Sequence, residues 1–334
     1  MNKYRLVIFG DFWDVCQVAH RDWIVNPLVT YISNFRPKGL LGFLQRIQFN
    51  PKLNSILNIP FKDKWNPYYL RGVNVENACF LVTERWLRME CGIRLLPYLR
   101  NNYPNSCLVC FTQDLVETIK DFYSHRPVDV NYVKKYSDLF ISFDFIDSRK
   151  HKLAYHPTVF SPLCLPEFKV VNDLYFLGRD KGRLKTLVNI CNEARRRGLR
   201  VLFLLIEVPK EQRIKCDGIT YLDRLVPYEE NLRNVASSRC VIEMFQSDAT
   251  SPTFRTWECI MLNKMLVTNS TSIRHSEFYD SRYVSVFSDE NDIDWGAVDR
   301  GCAFVGQQNP MAAKIRPQSL VTFIEKKLQI QIAT

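Results

Sequence analysis

No apolar run in this 334-residue chain approaches the roughly 18 residues that a membrane-crossing helix needs, so no transmembrane span is expected. The opening MNKYRLVIFGDFWDV has no small-residue cleavage site and is interrupted by Asp11 and Asp14, so it reads as a strand rather than a secretion signal. A cytoplasmic protein is expected. Internal repeats and low-complexity tracts are absent too, which excludes solenoid and disordered classes. Cys107 and Cys110 have C-x-x-C spacing, but no second pair and no nearby histidines complete a zinc site, and no D-x-D element is placed to serve a cation. Neither a metal nor a cofactor is expected. The 11 cysteines, an odd number, fall mostly inside apolar periodic segments and read as buried, reduced thiols.

Acids are in short supply, 35 against 45 Lys and Arg, and the resulting net charge of +10 favours an anionic partner: a nucleotide, a nucleic acid or an acidic membrane surface. The aromatics sit largely at core-periodic positions rather than interleaved with cations, which argues against nucleic acid. Between Arg36 and Trp65, six cations face the single acid Asp63 and alternate with Leu40, Leu41, Phe43, Leu44, Ile47 and Phe49. That pattern suits an interfacial helix resting on anionic headgroups; its alternative is a core-facing helix with a solvated basic rim.

With 46% hydrophobic and 24% charged residues the chain is globular, and its length suits two domains. Apolar runs at 5–9, 79–83, 106–111 and 139–143, with helices near 87–101, 116–123 and 130–136, predict a mostly parallel sheet in the first half. The proline-bearing stretch 156–166 reads as a hinge. Beyond it, strands at 173–177, 200–206, 219–222, 240–244, 265–268 and 284–286 alternate with helices at 184–197, 228–237 and 252–262, the pattern of a doubly wound α/β fold. Expected domains are therefore 1–160 and 167–317, with a final helix in 318–334 packing back across the hinge.

Two constellations carry chemistry. Strand 173–177 ends at Gly178, and the loop Arg179-Asp180-Lys181-Gly182-Arg183 leads into a helix closed by Gly198. Backbone N–H groups, a helix N-terminus and the charges of Lys181 and Arg183 make such a turn a phosphate cradle; a plain βα turn is the alternative. The second constellation, QSDATSPTFRTWECIMLNKMLVTNS from Gln246, predicts a helix with Ser251 as N-cap and Pro252 at its first position. Arg255 and Glu258, three apart, then share a face on which Arg255 holds phosphate and Glu258 accepts hydrogen bonds from a sugar diol, or on which they form a surface ion pair. Both places lie at carboxyl ends of strands, where doubly wound folds bind ligands.

The G-R-D-K-G-R loop and the downstream T-x-R-x-x-E-x-x-x-x-x-K-x-L-V-T-N stretch resemble the C-terminal half of GT-B fold glycosyltransferases, especially small bacterial enzymes of lipopolysaccharide or capsule assembly. The resemblance implies two Rossmann-like doubly wound domains facing a central cleft, and metal-independent transfer of a sugar from a nucleotide-diphosphate donor to a saccharide or lipid-linked acceptor. It also implies roles. Gly178, Arg179, Lys181, Gly182, Arg183, Thr250, Ser251, Thr253 and Arg255 would surround the diphosphate, with Lys181 and Arg183 stabilising the leaving charge. Glu258 matches the second glutamate of the family's E-x7-E element, and Val226, Pro227 and Tyr228 resemble its base-binding loop. Gly10 would approach the ligand by its backbone. The first glutamate is missing: eight positions before Glu258 stands Thr250. That departure leaves a nucleotide-sugar-binding protein without turnover as an alternative. For a general base the strand ends offer Asp11, Asp114, Asp144 and His156, of which Asp144 directly follows an apolar strand.

Overall fold

The computed structural model describes residues 3–11, 13–33, 39–57, 59–119, 129–163, 168–245, 252–301 and 309–334. They form two compact units, Met1–Ser161 with Lys314–Thr334, and Pro162–Ala313. In the first, strands β1 (Lys3–Phe9), β2 (Thr30–Ile32), β3 (Ala78–Thr83), β4 (Cys107–Thr112), β5 (Leu139–Ser142) and β6 (Ala154–Tyr155) make a parallel sheet. The second unit holds β7 (Asn172–Arg179), β8 (Val201–Ile206), β9 (Ile219–Leu222), β10 (Ser238–Glu243), β11 (Met265–Thr268) and β12 (Val284–Val286). A last strand, β13 (Gln331–Ala333), returns to the first sheet.

The first sheet runs β13-β1-β3-β4-β5-β6, with β2 beside the carboxyl half of β1 through Val7↔Thr30 and β13 beside its amino half through Lys3↔Gln331. Because β2 and β3 flank β1 on opposite sides, the winding reverses at β1. All six residues of β3 are buried, as are Leu6–Phe9 of β1, since helices cover both faces. The helix Pro317–Leu328 buries Leu320, Val321 and Ile324 against one of those faces, in a core shared with Leu6, Ile8 and Val109.

The second sheet runs β12-β11-β10-β7-β8-β9, all parallel, so its winding reverses between β7 and β10. Its helices fill the connections: Leu184–Arg196 buries Leu187, Ile190, Cys191 and Ala194, and Gly198, at φ +77°, ends that helix in the left-handed conformation.

Three local expectations change. The helix predicted near 87–101 runs Glu90–Asn102, and a separate short helix, Glu84–Leu87, precedes it; extended Met89 divides them, and Gly92 packs on the Trp86 carbonyl, where a Cβ would lie 1.9 Å from the oxygen. The element predicted at 116–123 is a 3-10 turn over Val116–Ile119, and residues 120–123 lie outside the described set. The basic segment does form helices, Gly39–Gln48 and Pro51–Ile56, but the core-facing alternative fails: Gly42 and Gln45 point inward while the leucines face out.

Candidate functional site

The reversal between β7 and β10 places Gly178 and Arg179 beside Glu243 and Met244, at the carboxyl edge where a doubly wound sheet opens toward a ligand. Two arginines meet there. Arg183 donates to the carbonyls of Met244, Asp180 (3.1 Å) and Arg179 (3.0 Å), and Arg255 donates to the carbonyl of Leu177. Both guanidinium groups lie over the Phe176 ring, 5.5 Å and 5.2 Å from its centroid. Gly178 lets them approach: a Cβ on it would sit 3.2 Å from one Arg255 terminal nitrogen and 3.5 Å from one of Arg183. Neither arginine forms an ion pair with a described carboxylate. Burial and the neighbouring Arg255 charge push the Arg183 pKa down, the direction expected where two cations share one site.

The rest of the loop is arranged differently from the phosphate cradle expected. Asp180 Oδ1 accepts the Leu184 N–H at 2.7 Å, so a carboxylate already serves the start of the helix. Lys181 and Gly182 occupy the turn at φ +49° and +82°, and both are exposed. Arg179 is exposed and pairs with Glu207 at 2.7 Å. The positive charge gathered at the switch point therefore comes from Arg183 and Arg255, with Lys181 at the rim.

Helix Phe254–Leu262 begins two residues later than predicted, and its N-cap is Thr253, whose hydroxyl accepts the Arg255 N–H at 3.2 Å. Pro252 precedes the helix, and Thr250 and Ser251 lie outside the described residues. The shift has a cause that periodicity does not reveal. Glu243, fully buried at the end of β10, accepts hydrogen bonds from Thr253, from Thr256 (3.2 Å) and from Thr268 (2.8 Å), tying the helix start to β11. Burial raises its pKa, while the three hydroxyls and Arg255 oppose that rise. The one signal of Glu243 in the sequence is an acid at the carboxyl end of an apolar strand.

Glu258 is not on an exposed face with Arg255. Only 3% exposed, it accepts from Asn231 Nδ2 at 3.0 Å, and Asn231 in turn accepts the Tyr175 hydroxyl at 3.0 Å. Burial lifts the Glu258 pKa to about 6, with Arg255, Tyr228 and Asn231 pulling the other way. The carboxylate thus joins its own helix to helix Tyr228–Ala236, whose N-cap is Pro227 and before which lie half-buried Val226 and exposed Leu225.

A second polar cluster occupies the carboxyl edge of the first sheet, at its own reversal. Asp11, after β1, is buried and takes the Trp13 N–H on Oδ1 at 3.1 Å. The space above Gly10 belongs to Tyr31: a Cβ there would fall 2.1 Å from the ring, so the glycine seats the tyrosine. Gln113 donates to Thr158 at 2.6 Å, which leaves its oxygen for His20 Nε2–H at 3.0 Å and His20 Nδ1 for the Tyr31 hydroxyl at 2.8 Å. Burial drives the His20 pKa to about 4, so the ring is neutral. Glu84, after β3, accepts the Gln113 N–H at 2.8 Å, and burial with the Asp11 charge lifts it to about 7. In the sequence His20 is an isolated histidine and Glu84 a neighbour of Arg85 at a strand end; only the fold joins them, through Gln113. Asp144 is the N-cap of helix Phe145–His151, accepting the Asp147 N–H at 2.6 Å. Asp114 pairs with Arg88 at 3.0 Å, and His156 is held between Pro157 and Ser319.

Among the described residues, no cluster of three or more His, Cys, Asp or Glu side chains can hold a metal ion, and no helix is long and apolar enough to cross a membrane. No family model matches the chain, and no curated protein matches it in sequence. Solved structures do. The chain is similar to an alpha-glucosyltransferase in complex with UDP at 11% identity, with 97% of this chain and 99% of that one covered and a TM-score of 0.57. A further structure of an alpha-glucosyltransferase, with UDP and a 13-mer DNA containing an HMU base, aligns at 13% identity over 98% and 99%, TM-score 0.55. The trehalose-6-phosphate synthase OtsA aligns at 10% identity over 98% and 99%, TM-score 0.53. At these identities the likeness establishes the architecture: two Rossmann-like α/β units, the GT-B fold.

Proposed function

We propose that the chain is a glycosyltransferase that binds a nucleotide-diphosphate sugar on its second unit and passes the sugar to a saccharide or lipid-linked hydroxyl, in the assembly of a cell-surface polysaccharide or lipopolysaccharide. In that reaction the acceptor oxygen bonds to the anomeric carbon as the bond from that carbon to the diphosphate oxygen breaks. The diphosphate leaves with the electron pair, and the acceptor proton passes to a base. The observation that carries the proposal is the Arg183–Arg255 pair: two cations on one aromatic ring, hydrogen-bonded among the described residues to neutral carbonyls, at the winding reversal. A diphosphate relieves their repulsion, and its leaving charge is met by fixed guanidinium groups with no cation required. Lys181 adds charge from the rim. Glu258 acts as a positioning residue, through Asn231 and Tyr228, for the loop Val226-Pro227-Tyr228 that would hold the base. Asp11 and Asp144 are the candidate general bases; each already accepts one backbone N–H, Asp11 from Trp13 and Asp144 from Asp147.

The test is release of nucleotide from a panel of UDP-, GDP-, ADP- and CMP-sugars, with and without oligosaccharide and lipid-linked acceptors. Turnover of one donor, abolished by Arg183→Gln with Arg255→Gln, supports transfer. Tight donor binding without turnover under any acceptor would establish a binding protein instead, and no binding of any nucleotide would remove the site.

A further inference from the structure

The helix Gly39–Gln48 is amphipathic the wrong way round for a soluble protein. Gly42 and Gln45 face the interior, with the Gln45 amide donating to Tyr69 Oη at 3.1 Å, whereas Leu40, Leu41, Phe43, Leu44 and Ile47 stand in solvent. Leu40 is 74% exposed. The next helix repeats the inversion: Asn54 is buried, donating to the carbonyls of Gln48 and Asn50 at 2.8 Å each, while Leu53 and Ile56 face out, followed by exposed Leu57 and Phe61. Half of the exposed large apolar side chains among the described residues fall between Leu40 and Phe61. Hydrogen-bonding polar groups hold the segment to the protein, and its apolar surface is left to another phase. A concentrated patch of this kind marks an interaction surface.

The charge around the patch selects the occupant. Exposed Arg46, Lys52 and Lys64 are interleaved with the apolar side chains, and Lys64 Nζ lies 4.8 Å above the Phe61 ring. The one acid between residues 39 and 65, Asp63, is paired with Arg94 at 3.3 Å. Two copies of such a face would set like charges against each other. A bilayer of anionic lipid offers hydrocarbon to the leucines and phosphate to the cations at once.

We propose that residues 39–64 form a membrane-docking face that rests in the headgroup region of an anionic bilayer. The inference stands independently of the transferase reading, because it concerns a surface of the first unit and requires no nucleotide. Full-length protein is co-sedimented with phosphatidylcholine vesicles and with vesicles of equal parts phosphatidylcholine and phosphatidylglycerol. Partitioning onto the anionic vesicles should be stronger by about tenfold or more, and should weaken as salt rises. The triple substitution Leu40→Gln, Leu44→Gln, Ile56→Gln should lower it at least about tenfold. Lys52→Glu with Lys64→Glu, confined to exposed side chains, should abolish the preference for anionic lipid and serves as the check if the triple variant unfolds. Failure of the parent protein to sediment with either vesicle overturns the proposal. So does a dimer, or an RNA complex, that the same substitutions disrupt in the absence of vesicle binding.

Discussion

Replacing Arg255 by Gln should separate two consequences that a purely structural arginine would not separate. In the ligand-free protein the side chain contributes a stacking contact on Phe176 and a hydrogen bond to the Leu177 carbonyl, together worth about 1–2 kcal/mol. Against that stands repulsion. One nitrogen of each guanidinium lies close to a common point above Gly178, so the two are at most about 7 Å apart, where unit charges at an effective dielectric of ~20 repel by roughly 2 kcal/mol. The favourable side also includes the attraction of Arg255 to buried Glu258 and Glu243, so Arg255→Gln should lower stability only modestly, by about 1–2 kcal/mol. Arg183→Gln relieves the same repulsion but gives up three carbonyl hydrogen bonds as well as the Phe176 contact, so it should cost about 1–2 kcal/mol, and the double substitution should cost more than the two single changes combined, because the repulsion can be removed only once. Nucleotide affinity should respond more strongly. Each arginine supplies charge-assisted hydrogen bonds to a diphosphate, so either single change should weaken UDP binding by about 2–3 kcal/mol, roughly 30- to 150-fold by isothermal titration calorimetry. UDP is the probe because similar structures contain it. If both variants bind every nucleoside diphosphate as the parent does, or if each loses several kcal/mol of stability without ligand, the argument from a strained cation pair is refuted.

Glu243→Ala leaves three threonine hydroxyls facing a void and should lower chemical-denaturation stability by about 3 kcal/mol, while Glu243→Gln, which keeps the acceptor oxygen, should lose less than half of that. Gly10→Ala drives a methyl into the Tyr31 ring and should cost about 2 kcal/mol or more in the same assay; Gly182→Ala, in an open turn at φ +82°, should cost less. Glu84 has its pKa raised from 4.5 to about 7, so its neutral form favours the folded state. That contribution is complete below 4.5 and is lost as pH rises through 7. Glu84→Gln should therefore stabilise the protein against heat at pH 8 and change little at pH 4, and a gain confined to low pH would contradict the assignment.

The strands were legible in the amino-acid order because a parallel strand covered on both faces must be apolar throughout: Leu6–Phe9, Ala78–Val82 and Phe203–Leu205 announce themselves by composition. The alternation of those runs with helices settled the α/β class, and the turn chemistry at Gly178 and Gly198 bracketed the loop and helix that follow β7 and carry Arg183. Local pattern failed wherever a partner distant in sequence decided the outcome. Ser251-Pro252 is a good helix start, yet the helix begins after Thr253 because buried Glu243 binds that hydroxyl. Glu258 reads as an exposed partner of Arg255, yet Asn231, 27 residues away, draws it inside. The inverted helix Gly39–Gln48 has the periodicity of an ordinary core helix, since a hydrophobic stripe records which residues share a face and not which way that face points. Direction, and the meeting of Arg183 with Arg255 over Phe176, belong to tertiary structure: both depend on contacts between segments that no stretch of neighbouring residues encodes.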